Sequence, residues 1–129
     1  MKKVLYAAFA CVMLLTVCAA PAANAEAEQA FSRGTQAYDR GDYTQAIADY
    51  TQAIKLDPNY ASAYVNRGSV YANLDDYNKA IADYTQAIKL DPNYANAYVN
   101  RGRTYYRLGN TSKAITDYSQ AIKLDPNNA

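Results

Sequence analysis

One passage of this chain is written three times. "AIADYTQAIKLDPNYA" runs from Ala46 to Ala61 and again, letter for letter, from Ala80 to Ala95, and "AITDYSQAIKLDPNNA" fills Ala114 to Ala129. The step is 34 residues, as in Asp49, Asp83 and Asp117, in Pro58, Pro92 and Pro126, and in Gly34, Gly68 and Gly102. Laying Ala61–Tyr94 over Ala95–Asn128 gives 22 identities in 34 positions, far more than shared composition produces. A unit of that length cannot bury an apolar face by itself. The copies therefore lie against one another, and about three are needed before the stack is stable.

Each copy reads as two helices. In the first, Tyr64, Gly68 and Tyr71 fall at spacings of four and three, on one face; in the second, Tyr77, Ala80, Ile81, Tyr84, Ala87 and Ile88 do the same. The polar "NLDDYN" between them is a short turn, matched by "DRGDYT" before it and "RLGNTS" after it. Pro92 ends the second helix, since it donates no backbone hydrogen bond and crowds the preceding turn; Asp91 or Asn93 is then expected to cap the helix that follows. Gly68 and Gly102 each cost a helix about 1 kcal/mol relative to alanine. A packing reason is expected there, a close helix approach with Ala80 and Ala114 as the facing hollow.

These residues resemble the tetratricopeptide repeat family, whose 34-residue pattern places an aromatic, Leu-Gly, Tyr, then Ala, an aromatic and Pro. Here the pattern is met by Tyr64, Gly68, Tyr71, Ala80, Tyr84 and Pro92, and by Tyr98, Gly102, Tyr105, Ala114, Tyr118 and Pro126. The resemblance spans Ala27 to Asn128 and implies an all-α, right-handed α-α superhelical solenoid of three helix-turn-helix repeats, 27–60, 61–94 and 95–128. Departures are visible. Tyr64 and Tyr98 replace the usual tryptophan, Arg67 and Arg101 stand where leucine is common, and Ala30 and Ala37 replace both tyrosines in the first copy. The small pair is expected on a terminal helix with no preceding neighbour.

Residues 1–25 are set apart from that domain, which is taken as 26–129. Met1-Lys2-Lys3 is a positive start, Val4 to Ala20 is an uncharged apolar run, and Ala23-Asn24-Ala25 has the small-x-small form of a signal-peptidase site. The expectation is an exported chain, cleaved before Glu26, in a compartment such as the bacterial periplasm. An uncleaved membrane anchor and a lipoprotein site at Cys18 remain alternatives. Cys11 and Cys18 lie in the leader, so the domain carries no thiol to oxidise. Without Lys2 and Lys3 the 13 basic residues become 11 against 12 acidic ones. A balance near −1 does not recruit nucleic acid, and once the leader is cleaved no membrane contact is expected.

Catalysis finds little to use. The chain has no histidine, and its two cysteines sit in the leader, which removes the usual nucleophile pairs and zinc shells. The five glycines are scattered and build no phosphate loop. Asp49, Asp83 and Asp117 recur one per unit on neighbouring repeats, which does not converge them on a single bond; they read as solvated charges, with Lys79 and Lys113 one turn ahead of Asp83 and Asp117 as partners. No catalytic residue, cofactor or metal is assigned, and the chain reads as a non-enzyme.

What differs between near-identical copies carries the functional reading. Ser62 becomes Asn96, Ser69 becomes Arg103, Ala72 becomes Tyr106 and Asn73 becomes Arg107, all on the side of the first helix turned from Tyr64, Gly68 and Tyr71. In the resembled family that side lines a concave groove holding peptides. The resemblance implies a peptide-binding groove at Phe31, Tyr38, Val65, Asn66, Ser69, Asn73, Val99, Asn100, Arg103, Tyr106 and Arg107, with Thr35 and Asp39 on the same stripe. Asn66 and Asn100 would hold a peptide backbone, their amides offering donors and an acceptor. Free drift of exposed positions explains Ser62 against Asn96; it explains less well Arg103, Tyr106 and Arg107 arriving together, residue types that dominate binding energetics. The groove is expected to run from acidic near Glu28 and Asp39 to basic near Arg103 and Arg107, favouring a protein partner with a carboxylate at one end. The family's paired-carboxylate clamp is only partly reproduced. The last helix keeps Ile115, Tyr118, Ala121 and Ile122 with no polar cap, so a homo-oligomer through that helix, as a structural or assembly element of the envelope, is the alternative.

Overall fold

The computed structural model describes residues 24–128. Six helices and no strand are present among them. A first helix, α1, is described over 24–39; α2 (Tyr43–Leu56), α3 (Ala61–Asn73), α4 (Tyr77–Leu90), α5 (Ala95–Arg107) and α6 (Thr111–Leu124) follow, then a 3-10 turn, Pro126–Asn128. Successive helices pack in chain order, with α5 also reaching α3 across α4, so the chain is an all-α helical-repeat solenoid. The export leader read at residues 1–25 lies, all but its last two positions, outside the described residues. No described helix is long and apolar enough to cross a membrane.

Local chemistry sets the helix ends. The second helix of each repeat starts on Asp42, Asp76 or Asn110, whose side chain accepts from the backbone N–H of Gln45, Lys79 or Lys113. Each then ends at an aspartate held extended before proline, Asp57, Asp91 or Asp125, as the residue before proline prefers. Those aspartates do not cap the next helix, contrary to expectation. Tyr60 and Tyr94 occupy that position without a side-chain hydrogen bond, while Asp57 and Asp91 fold back onto the N–H of Asn59 and Asn93. The turn inside each repeat needs one left-handed residue, supplied by Gly41 (φ 77°), Gly109 (φ 79°) and, against its preference, Asp75 (φ 60°).

The core is a file of alanines wedged between tyrosines. Ala46, Ala53, Ala63, Ala80, Ala87 and Ala97 are fully buried, as are Tyr50 and Tyr84. Gly68 admits Tyr84: a β-carbon there would meet its Cε1 at 2.9 Å and the Ala80 carbonyl at 3.2 Å. Tyr71 is half-buried beside the Val65, Ala80, Tyr84, Ala87 and Ala97 cluster. Ala30 and Ala37 are also fully buried, facing Ala53 and Ala63 and facing Ala46, Tyr50 and Val70. They face inward, so a missing outer neighbour is not the cause of their size. Phe31 supplies the aromatic bulk of that repeat instead, stacking at 5.6 Å on Tyr50 and 5.0 Å on Tyr60.

The recurring aspartates are not solvated. Asp83 and Asp117 are buried, and each accepts a two-pronged hydrogen bond at 2.8 Å from the arginine that replaces leucine, Arg67 or Arg101. The third nitrogen of each fork reaches back one repeat, to the hydroxyl of Thr51 or Thr85 at 3.1 and 3.2 Å. These hydrogen bonds to aspartate are the largest cause of the raised pKa of both arginines. Lys79 and Lys113, the expected partners, lie elsewhere: Lys79 pairs with Asp76 at 3.5 Å and sits over the Tyr71 ring, and Lys113 sits over Tyr105. A planar fork matches a carboxylate on two sides where an ammonium cannot. In the first repeat the motif is loose, with Arg33 3.8 Å from Asp49 and 55% exposed.

Candidate functional site

The first helices of the three repeats, α1, α3 and α5, present successive strips to one side of the stack, and two adjoining hollows open between them. The first encloses about 140 Å³, lined by Tyr38 of α1, Ser69, Ala72 and Asn73 of α3, Tyr84 of α4, and Asn100, Arg103, Thr104 and Arg107 of α5. The second encloses about 280 Å³ between Thr35, Tyr38 and Asp39 of α1, Tyr50 of α2, and Asn66 and Ser69 of α3. Tyr38 and Ser69 belong to both, so the hollows join into one groove.

Its floor is a row of tyrosine hydroxyls held by short side chains. The Tyr50 hydroxyl lies 3.2 Å from Thr35 Oγ1 and accepts from Asn66 Nδ2 at 3.5 Å; the Tyr84 hydroxyl donates to Ser69 Oγ at 3.2 Å, which in turn donates to the Val65 carbonyl. Asn73 Nδ2 donates to the Tyr38 hydroxyl at 2.8 Å, linking the walls supplied by α1 and α3. Burial raises the pKa of Tyr84, opposed by its Ser69 bond and by the charge of Arg103. Its phenol is therefore neutral and polar at physiological pH. Thr104, buried at the back of the first hollow, returns its hydroxyl to the Asn100 carbonyl, leaving the Asn100 side chain on the lining.

Seven of the residues singled out from the sequence line this groove: Tyr38, Asn66, Ser69, Asn73, Asn100, Arg103 and Arg107. Four lie elsewhere. Phe31 is packed on Tyr50 and Tyr60; Val65 is buried in the core; Val99 is half-buried outside both hollows; Tyr106 is 64% exposed on neither lining. Val65 faces inward, packed with Ala80, Tyr84 and Ala87 of α4 and Ala97 of α5. Thr35 and Asp39, placed on the same stripe, line it too; Tyr50, Ala72, Tyr84 and Thr104 complete the lining and were not among those groove residues. Tyr50 and Tyr84 recur in every copy, which hides a groove role from a comparison of differences.

Charge is distributed along the groove as expected at one end and only in part at the other. Arg103 and Arg107 are exposed at the α5 end, one helical turn apart, and Asp39 is exposed at the α1 end. Glu28 is not part of it. That side chain borders a separate hollow with Asp57 and Tyr60, where burial, then Glu28, then Asp57 raise the Tyr60 pKa. Among the described residues no three His, Cys, Asp or Glu side chains come together. The two hollows, of about 140 and 280 Å³, lie in series along α1, α3 and α5.

Comparison with known proteins agrees with this fold. The family model described as a tetratricopeptide repeat matches residues 61–94 and 95–128, and one described as a TPR repeat matches 34–75. No curated protein matches in sequence. Among solved structures, the first TPR domain of Spaghetti (RPAP3), bound to the HSP90 peptide SRMEEVD, is 30% identical over 81% of this chain and 83% of its own, with a TM-score of 0.79. The Arabidopsis OM64 TPR domain is 30% identical over 82% and 88%, at 0.80. The TPR2B domain of yeast Sti1, in complex with pHsp70, is 31% identical over 78% and 80%, at 0.76.

Proposed function

The chain belongs to the tetratricopeptide repeat family, and from that premise we propose that it is a protein-binding scaffold whose groove along α1, α3 and α5 holds an extended segment of a partner protein. The joined hollows carry this reading, because Tyr38 and Ser69 make a continuous track of polar contacts with arginines at one end. Two of the similar domains were solved with a peptide or with pHsp70, which supports a peptide as the ligand class. The mechanism is presentation. The Asn73–Tyr38 and Tyr84–Ser69 bonds fix the walls before a ligand arrives, which lowers the ordering cost of association.

Within that reading Arg103 and Arg107 receive a carboxylate of the partner, and Asn66 and Asn100 meet its backbone. No bond-making step is assigned to the chain. Residues 1–25 act as an export leader, so the scaffold works in an exported compartment such as the bacterial periplasm; sequencing the N-terminus of the mature protein tests this, with Glu26 the expected first residue. An array of heptapeptides bearing a single acidic residue at each position tests the groove. Arg103→Ala with Arg107→Ala is expected to weaken the retained acidic peptides by at least about fivefold, or 1 kcal/mol, with unchanged helicity. Equal retention by the variant removes the basic-end assignment. Self-association is a second role favoured by the exposure of Ile115 and Ile122, and it is compatible with the first because the depression beside them shares no residue with the groove.

A further inference from the structure

The outer face of α6 repeats a surface that on α2 and α4 is covered by α3 and α5. Ile47 and Ile54 of α2 and Ile88 of α4 are half-buried against clusters that include Val70, Ala63 and Ala97 of the following repeat. Their counterparts Ile115 and Ile122 are 59% and 51% exposed. Among the described residues α6 packs only on α5 and the 3-10 turn. An open depression of about 520 Å³ lies along it, between Tyr98, Arg101 and the Ile115–Lys123 flank.

A second copy offers two faces to fill that space, and they differ in chemistry. The outer face of α1 carries exposed Gln29, Ser32, Arg33 and Gln36, where α3 and α5 bury Ala63 with Val70 and Ala97 with Thr104. Head-to-tail stacking would press two glutamine amides onto isoleucines, a burial that costs free energy without hydrogen-bond partners. That face is a polar cap.

The outer face of α6, by contrast, complements itself. Ser112, Ile115, Ser119 and Ile122 are exposed at spacings of three, four and three, the seam of a helix pair. In an antiparallel pairing about a two-fold axis level with Asp117, Ile115 meets Ser119 of the second copy and Ile122 meets its Ser112. Each large side chain then faces a small one, the alternation that lets layers interdigitate. Charge agrees. The seam has no ionised group, Lys123 falls opposite Thr111 and Lys113 opposite Ala121, while the Asp117 carboxylate is turned inward to Arg101. We infer that the chain forms an isologous dimer by antiparallel pairing of α6 with α6 of a second copy, Ile115 against Ser119 and Ile122 against Ser112.

The patch is small. The seam presents four residues a side, of which Ile115 and Ser119 also border the depression, against roughly 20–30 a side in a standard interface, so the dimer is concentration-dependent rather than obligate. Its consequence is functional: two grooves on one particle engage a partner with two segments, gaining avidity without a new contact.

Sedimentation velocity over a concentration series tests the pairing, using the chain from Asn24 onward, which holds all six helices and the three core clusters. The unaltered chain is expected to approach twice the monomer mass toward millimolar concentration, and Ser119→Glu and Ser119→Lys, each checked for helicity, to weaken pairing at least tenfold. An equimolar mixture of the two is expected to recover it. Positions 119 lie about 6 Å apart along the paired helices, with axes about 8–10 Å apart, within reach of glutamate and lysine. A chain that stays monomeric to millimolar concentration overturns the proposal. So does a mixture that stays monomeric, because head-to-tail stacking or docking of a foreign partner never brings position 119 to itself.

Discussion

Replacing Arg67 by leucine, the residue common at this place in the family, should destabilise the chain although it inserts an apolar side chain into a mostly buried position. Arg67 and Asp83 are 18% and 9% exposed and share two hydrogen bonds of 2.8 Å. Losing one member of a buried pair costs about 3–5 kcal/mol, because the other charge stays behind without compensation. Burying leucine returns about 1.5–3 kcal/mol at most. The net loss is then about 2 kcal/mol, a sizeable part of the roughly 5–15 kcal/mol that holds a domain together, and it lowers Tm by about 10 °C in a domain near 100 residues. Removing both charges is another matter: Arg67→Leu with Asp83→Leu is expected to be neutral or better, since a hydrophobic replacement avoids desolvation altogether. Urea unfolding of both single variants and the double variant, followed by circular dichroism, gives the coupling energy. Strictly additive effects, or a neutral Arg67→Leu, would refute the idea that the fork compensates a buried aspartate.

Two further outcomes follow from single positions. Asp75→Gly should stabilise by about 1 kcal/mol, because Asp75 holds φ 60° where Gly41 and Gly109 serve the other repeats; the lost Tyr77–Asp75 hydrogen bond on the surface offsets part of it, and an unchanged urea midpoint would count against strain there. The Tyr84 pKa is raised above 10.0, by burial first, so its neutral form contributes stability that is complete below pH 10 and is lost as pH rises through the folded value. Tyr84→Phe should therefore lose about 1 kcal/mol at neutral pH with its Ser69 bond and resist alkaline unfolding better than the unaltered chain; parallel pH-unfolding curves would show otherwise.

Much of the architecture was legible because repetition supplies its own control. Gly68 and Pro92 recur at a fixed step, and a glycine retained inside a helix signalled a close approach that the structure fills with Tyr84. The Arg67–Asp83 pair was missed for a physical reason. Sequence reasoning looks one helical turn away, toward Lys79, whereas the partner lies 16 residues off, on the other helix of the hairpin. Its trace was nevertheless there, since arginine and aspartate recur together as Arg33 with Asp49, Arg67 with Asp83 and Arg101 with Asp117. In the groove, differences between copies led to Ser69, Asn73, Arg103 and Arg107, but they could not reveal Tyr50 and Tyr84, which repeat unchanged. Val65 fell inside the core and Phe31 against its edge, because a helical angle places a residue on a face without saying how deep the neighbouring helix sits.

The most direct measurement is photo-crosslinking from inside and outside the groove. A photoreactive phenylalanine placed at Ser69 or Arg103, on the groove lining, and at Gln52 or Ala82, exposed on the second helices, reports which side of the stack meets a captured partner. Crosslinks from 69 and 103, with none from 52 and 82, are the expected result. Crosslinks confined to 52 and 82 would mean that the partner rides on the outer side and that the groove between α1, α3 and α5 is not where binding occurs.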